Sequence, residues 1–308
     1  MKILVVGAGA TGGYFGARLA QAGKDTTFLV RPRRAAALRE RGLRITGLGQ
    51  EERITPRLVT ADELPGPYDL VLLSVKATAL DGALDDIAPA VGPGTAIVPL
   101  LNGMAHLARL NDRFGEKAVL GGVARIITTL NDEGDIVRLA PIASLTIGEQ
   151  RGGTSERVEA IGAVLDDAGI DTHRSKDVIG AVWGKWVFIS TLAGLTCLMR
   201  GTVGDVRAVP GGPAFVTALL AECATVAAAA GHPVREKELD AVAAMLTAEG
   251  STLTASLYRD VVQGAPTEAE QVFGDLTDRA RSLSVGTPLL DLVTLNLRVH
   301  EHRTASAG

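Results

Sequence analysis

The stretch Gly7-Ala8-Gly9-Ala10-Thr11-Gly12 constrains this chain more than any other, because of what surrounds it. It follows the short apolar run KILVV and opens a helix-like segment from Thr11 to Ala22. In that strand–turn–helix setting GxGxxG is the fingerprint of a dinucleotide-binding βαβ unit rather than an ordinary glycine turn. Gly7 permits the tight turn, Gly9 lets a pyrophosphate approach the backbone, and Gly12 lets helix and strand pack closely. The helix start then offers the phosphates unpaired N–H groups and the positive end of a dipole.

The alternation continues down the chain. DTTFLV reads as a second strand, and YDLVLLSVKA and TAIVPLLNG as two more. Short apolar runs alternating with helical segments predict a parallel sheet with helices on both faces. Residues 118–149 read as further strands with NDEG as a hairpin turn, ERVEAIGAVLDDAG as an amphipathic helix, and GIDTHR as the close of this half. After Asp177 come long apolar-periodic segments without a strand pattern: 178–199, 212–231, 235–248, 253–263, 267–284 and 287–302. The expected organisation is an α/β Rossmann-type domain over residues 1–175 and an all-α domain over 176–308. TASAG is expected to be a frayed tail. The apolar face of 287–299 serves either the core or a homodimer contact.

Charge and cysteine usage narrow the class. A net charge of −4 argues against a chain built to hold nucleic acid or anionic lipid. Cys197 and Cys223 make no disulfide framework and suit a reducing compartment. The N-terminus runs straight into the motif without the features of a signal peptide. Residues 178–199 are long enough to span a bilayer, but they carry Lys185, Ser190, Thr191 and Thr196, which suit a buried helix. A cytoplasmic protein is expected. The five histidines form no ligand-spaced metal cluster, and no nucleophile-elbow motif occurs.

Which dinucleotide is bound depends on the end of the second strand. NAD-binding versions place an acidic residue there, roughly 20 residues after the glycines, to hold the ribose 2′-OH. Here the strand ends in Arg31-Pro32-Arg33-Arg34, and no acidic residue occurs from Thr26 to Arg39. Arg31 can grip a 2′-phosphate with its planar fork, so NADPH is the expected cofactor. Arg39, Arg41 and Arg44 fit a solvated helix face equally well. Two other strands end at Lys76 and Asn102, and ligands of open parallel sheets bind outside such ends. The plainer alternatives are a surface lysine and a helix-capping asparagine.

Lys185 is the only charged residue between Val178 and Met199. In a helix it shares a face with Ala181, Val182, Phe188, Ile189 and Leu192. Burying an unpaired ammonium costs several kcal/mol. The side chain therefore snorkels to water, pairs with a carboxylate, or lines a ligand cavity. In PTEAEQ, Thr267 and Glu270 fit a capping box. Glu268, in the first turn, either stabilises the helix dipole or turns to face Lys185.

With these features together, the sequence resembles the ketopantoate reductase (2-dehydropantoate 2-reductase) family over essentially its whole length. The resemblance is carried by GAGATGG, Arg31, SVKA with Lys76, LLNGM with Asn102, WGKW with Lys185, and SLYRDVVQG-x-PTE with Ser256, Asp260 and Glu268. It implies NADPH-dependent reduction of a 2-keto acid in a cleft between a Rossmann and a helical domain. It further implies that Lys185 donates the proton and stabilises the developing alkoxide. Glu268 would contact bound ligand and help keep Lys185 charged, Asn102 would hold cofactor or substrate, and Ser256 would meet the substrate carboxylate.

The sequence departs from the family at the substrate lining. Asparagines that bind substrate one and two helical turns beyond the lysine are replaced by Ile189 and Ala193, and two further ones by Val203 and Leu253. Losing a partner for a buried hydroxyl costs about 1–3 kcal/mol. Either other residues bind the ketopantoate hydroxyl, or the natural substrate is a bulkier, less polar 2-keto acid. A non-catalytic NADPH-binding sensor is the reading from another class, and it has no need for Lys185 and Glu268 together.

Overall fold

The structure, a computed structural model, describes residues 1–306. They divide into two units: residues 1–101 with 106–181, and residues 102–105 with 182 onward.

The first part of the chain runs β1 (Lys2–Val6), α1 (Ala10–Gln21), β2 (Asp25–Leu29), α2 (Pro32–Arg41), β3 (Leu43–Gly47), β4 (Gln50–Ile54), β5 (Arg57–Val59), β6 (Leu70–Leu73), α3 (Leu80–Ile87) and β7 (Ala96–Pro99). It continues through α4 (Ala105–Phe114), β8 (Leu120–Leu130), β9 (Ile136–Glu149), α5 (Glu156–Asp167) and β10 (Asp171–Arg174). Strands β5-β2-β1-β6-β7 form a parallel sheet in that order. Its apolar runs are buried on both faces: Ile3, Val5, Phe28, Leu70 and Leu72 on one, Leu4, Val71, Leu73 and Ile97 on the other. Burial on both faces is why these strands read as continuous apolar runs rather than alternating ones.

Strand order reverses at β1, with β2 on one side and β6 on the other. Val6 lies level with Leu29 and Leu73, so three strands end on one line. That register delivers Gly7, Arg31 and the Ser74–Lys76 segment to a common rim, the switch point where open parallel sheets bind ligands.

A second sheet was only half expected. The hairpin of β8 and β9 forms around the NDEG turn, as its sequence predicts. It is joined by β10, β3 and β4 in the order β10-β9-β3-β4. The α1 helix packs between the sheets: a Cβ on Gly16 would stand 2.5 Å from Phe28, and one on Gly13 would stand 2.6 Å from Ile136.

The second unit is helical: α6 (Val178–Met199), α7 (Val203–Ala208), α8 (Gly212–Ala229), α9 (Glu236–Leu246), α10 (Ser256–Val262), α11 (Asp275–Ser282) and α12 (Pro288–Ser306). A single π-turn, Glu270–Gly274, precedes α11. The division between units falls within α6, after Ala181. Trp183, Trp186, Leu195 and Cys197 bury most of that helix. The Glu222 carboxylate of α8 accepts the backbone N–H groups of Leu289 and Leu290, satisfying the first turn of α12. Burial pushes the Cys197 and Cys223 thiols up to about 12, which makes them packing groups.

Two local expectations change. The capping box of Thr267 and Glu270 does not form. Thr267 instead donates its N–H and hydroxyl to Glu301 of α12, and Glu270 makes a bidentate pair with Arg298 of the same helix. The Thr267 hydroxyl still accepts the Ala269 N–H at 3.2 Å, but tertiary partners on α12 claim the Glu270 carboxylate and the Thr267 N–H that a box would use. The tail expected to fray stays helical through Ser306, where the Thr304 hydroxyl donates to the His300 carbonyl. Residues 307–308 lie outside the described residues.

Candidate active site

The carboxyl rim of the parallel sheet opens into a groove of about 810 Å³ within the first unit. Gly7, Ala8 and Gly9 line it, with Arg31 and Arg34 on one side and Ser74 and Lys76 on the other. Each motif glycine does what its position requires. Gly7 has φ +94°, and a Cβ there would stand 2.6 Å from the Ser74 carbonyl oxygen. A Cβ on Gly12 would lie 2.4 Å from the Gly7 oxygen, so this glycine packs α1 onto the turn and lines nothing. Gly9 has nothing within 4 Å of its Cβ direction, which leaves its backbone open to an approaching group. Ala10 and Thr11, half-buried, begin α1 beside it, and no acidic residue occupies that first turn.

The arginine-rich segment separates into two kinds of residue. Arg41 and Arg44 converge on the buried Asp135 carboxylate at 3.4 and 3.5 Å. Arg39 lies 3.6 Å from Glu63. Arg34 donates to the Ala8 carbonyl at 3.2 Å and to the Gly134 carbonyl at 2.9 Å, tying the glycine turn to the β8–β9 hairpin. Burial pushes its guanidinium below the ordinary arginine value, with Asp135 opposing. Arg31 is exposed, lines the groove and makes no ion pair among the described residues. The basic cluster is therefore mostly a hairpin clamp, with Arg31 standing apart from it on the groove.

Sequence reasoning missed Arg34 and Ser74, and it missed that Asp62 and Asp86 place carboxylates in the same groove. Asp62 is reached from β5, not β2, so a search along the second strand does not meet it. The Thr60 hydroxyl holds it below the usual carboxylate range.

The remaining predicted residues belong to the second unit. Asn102 is half-buried in the loop after β7. Apart from its two ends, where Ile179, Gly180 and Leu198 keep some surface and Met199 is exposed, α6 is half-exposed at Ala181, Gly184, Lys185, Phe188 and Ile189, a stripe with helical spacing. Lys185 is thus not sealed in the core. Glu268 is half-buried, and Ser256 is exposed at the first position of α10. Of the positions where family substrate asparagines are replaced, Ala193 is 3% exposed and Val203 0%. Each is a small apolar residue facing inward, where packing claims it. Leu253 keeps part of its surface.

Strand order, glycine turn and groove define a dinucleotide-binding α/β protein with an all-helical second unit. The family model for ketopantoate reductase PanE/ApbA matches residues 3–152, and the model for its C-terminal part matches residues 177–301. The chain belongs to the ketopantoate reductase family, a family of oxidoreductases. It is 33% identical over 305 residues to the uncharacterized oxidoreductase YkpB of Bacillus subtilis (strain 168), covering 98% of this chain and 99% of that one. Among solved structures it resembles the 2-dehydropantoate 2-reductase of Geobacter metallireducens GS-15, with TM-score 0.89, 27% identity and coverage of 97% and 99%. A D-mandelate dehydrogenase in a ternary structure with NADH and anilino(oxo)acetate shares the fold, with TM-score 0.88, 22% identity and coverage of 99% and 100%.

Proposed function

We propose that this protein reduces a 2-keto acid to the 2-hydroxy acid with NADPH, and that 2-dehydropantoate, reduced to pantoate, is the substrate. The observation that carries the reading is Lys185, the one cation of α6, standing on the half-exposed stripe of a buried helix. The groove of the first unit would hold the dinucleotide. Gly7 to Thr11 would meet the pyrophosphate, Arg31 the 2′-phosphate, and Lys76 is a further cation on the same rim. When bound, the reduced nicotinamide supplies the hydride.

The chain's own groups do the rest. As the keto carbon gains hydride, charge grows on its oxygen, and the Lys185 ammonium stabilises that charge and then gives the oxygen its proton. Glu268 favours the charged form of the lysine against desolvation. Asn102 orients cofactor or substrate, and the exposed Ser256 hydroxyl is available to the substrate carboxylate.

The test is NADPH and NADH oxidation with a panel of 2-keto acids, on wild type and Lys185→Ala. Loss of general-acid help is expected to lower kcat by about 10²–10⁴-fold with NADPH binding retained. Tight NADPH binding with no keto acid reduced by wild type would leave a non-catalytic sensor as the better account.

A second reading is a bulkier, less polar 2-keto acid. Phe188 and Ile189 are half-exposed on the lysine's own face, and Leu253 keeps surface as well. Ketopantoate as the clear best substrate of the panel would end it.

A further inference from the structure

Three of the four residues assigned to chemistry in the second unit, Asn102, Lys185 and Glu268, come from separate segments, and one backbone turn lies beside all three. Glu270–Gly274 is a π-turn in which the Asp275 N–H donates to the Glu270 carbonyl five residues back. Such turns place carbonyls out of the regular helical ladder, and they recur at functional sites. Trp186, the neighbour of Lys185 and 1% exposed, donates its indole N–H to the Val272 carbonyl at 2.9 Å. Gly103, the neighbour of Asn102, has φ +75°, and a Cβ there would stand 2.4 Å from the Gln271 carbonyl oxygen. Glu268 begins the same helix, its carbonyl accepting from the Val272 N–H at 3.0 Å.

The indole has two further neighbours. The Trp183 and Trp186 rings lie 4.9 Å apart, and the Arg279 guanidinium stands over both at 5.9 and 5.6 Å. Arg279 is fixed in turn by Asp275, the residue that closes the π-turn, at 2.9 Å.

We infer that the π-turn at 270–274 is the positioning element of the second unit, and that Trp186, through its bond to Val272, is a positioning residue for Lys185 and Glu268. The inference rests on the proposed role of Lys185, but its structural half stands without it. Misplacing a catalytic group by about 1 Å costs on the order of a hundredfold in rate, so the register of α6 against the Glu268 turn has a direct kinetic consequence.

Trp186→Phe keeps an aromatic ring but removes the donor and part of the indole volume, so Gly103→Ala, which leaves the ring intact, serves as the independent check. Two measurements test it. In hydrogen exchange, the amides of 268–275 should exchange faster in the variant, while those of the parallel sheet keep wild-type rates. In kinetics, kcat should fall roughly ten- to a hundredfold with KM for NADPH unchanged, and the pH limb of kcat should move. Gly103→Ala, which pushes on the Gln271 carbonyl from the other side, should speed exchange in the same residues. Wild-type exchange at 268–275 in both variants overturns the inference, and so does an unchanged kcat with faster exchange. If wild type reduces no keto acid, only the proposed function falls, since exchange still decides whether Trp186 holds the turn.

Discussion

Arg31 and Arg34 stand three residues apart on one groove, yet their surroundings assign them different work. Arg34 spends its guanidinium on the carbonyls of Ala8 and Gly134, whereas Arg31 has no such partner among the described residues. Arg31→Ala is therefore expected to raise KM for NADPH about ten- to a hundredfold, the value of a charge-assisted contact to phosphate, and to leave KM for NADH nearly unchanged. Arg34→Ala should raise both, because it loosens the glycine turn whichever dinucleotide is present. Steady-state kinetics with each cofactor checks this, and a uniform effect of Arg31→Ala would remove it as the specificity residue. The sequence could point to Arg31 because the end of the second strand is a fixed place in a βαβ unit. It could not distinguish Arg34, whose partners lie 26 and 100 residues away. The failed capping box has the same cause: Thr267 and Glu270 satisfy the local spacing, but α12 brings better partners from 34 and 28 residues on.

Among elements, α5 is fastened to the end of β9 by one carboxylate. Glu149 accepts from Arg157 at 2.7 and 2.6 Å and from the hydroxyl of Ser155, the residue that caps α5, at 2.6 Å. The bond from Arg157 is the main reason its carboxyl lies below the ordinary value, with burial opposing. A group depressed in the folded state stabilises fully above its unfolded pKa, and that contribution disappears as pH falls through the folded one. Glu149→Gln should thus cost about 1 kcal/mol at pH 7, a modest figure because both side chains keep some exposure, and the gap from wild type should close in acid. Urea midpoints at pH 7 and near pH 3 measure it, and a gap that persists unchanged in acid refutes it. The parallel strands were readable because burial on both faces demands unbroken apolar runs. The hairpin of β3 and β4 was not, because it pairs Arg44 with Arg53 and Thr46 with Glu51. Its two-residue turn places Leu48 at φ +54° beside Gly49 at +76°, where an Asn-Gly signal would have been expected.

For the whole molecule, the division of labour follows the division of the chain. Every residue lining the groove lies in the first unit, and Lys185, Asn102, Glu268 and Ser256 all lie in the second. The sequence conveyed the change from strands to helices well, since a change from strand alternation to helical periodicity is a property of long segments and survives local error. It placed Asn102 with the first domain, however, whereas residues 102–105 belong to the second unit. It leaves the substrate lining open, because whether Ile189, Ala193, Val203 or Leu253 meets a ligand or the core is decided by packing that no single position encodes. A ligand that binds only the native form stabilises it in proportion to its saturation, by about 2.7 kcal/mol at a hundredfold excess over Kd. Saturating NADPH should accordingly slow exchange around residues 7–12, 30–34 and 74–79 and raise the thermal midpoint. The increment should be the same in Lys185→Ala as in wild type and smaller in Arg31→Ala. Calorimetry and exchange on the three proteins settle the point: an equal loss in Lys185→Ala would mean that α6 helps hold the dinucleotide, and the assignment of cofactor binding to the first unit alone would fall.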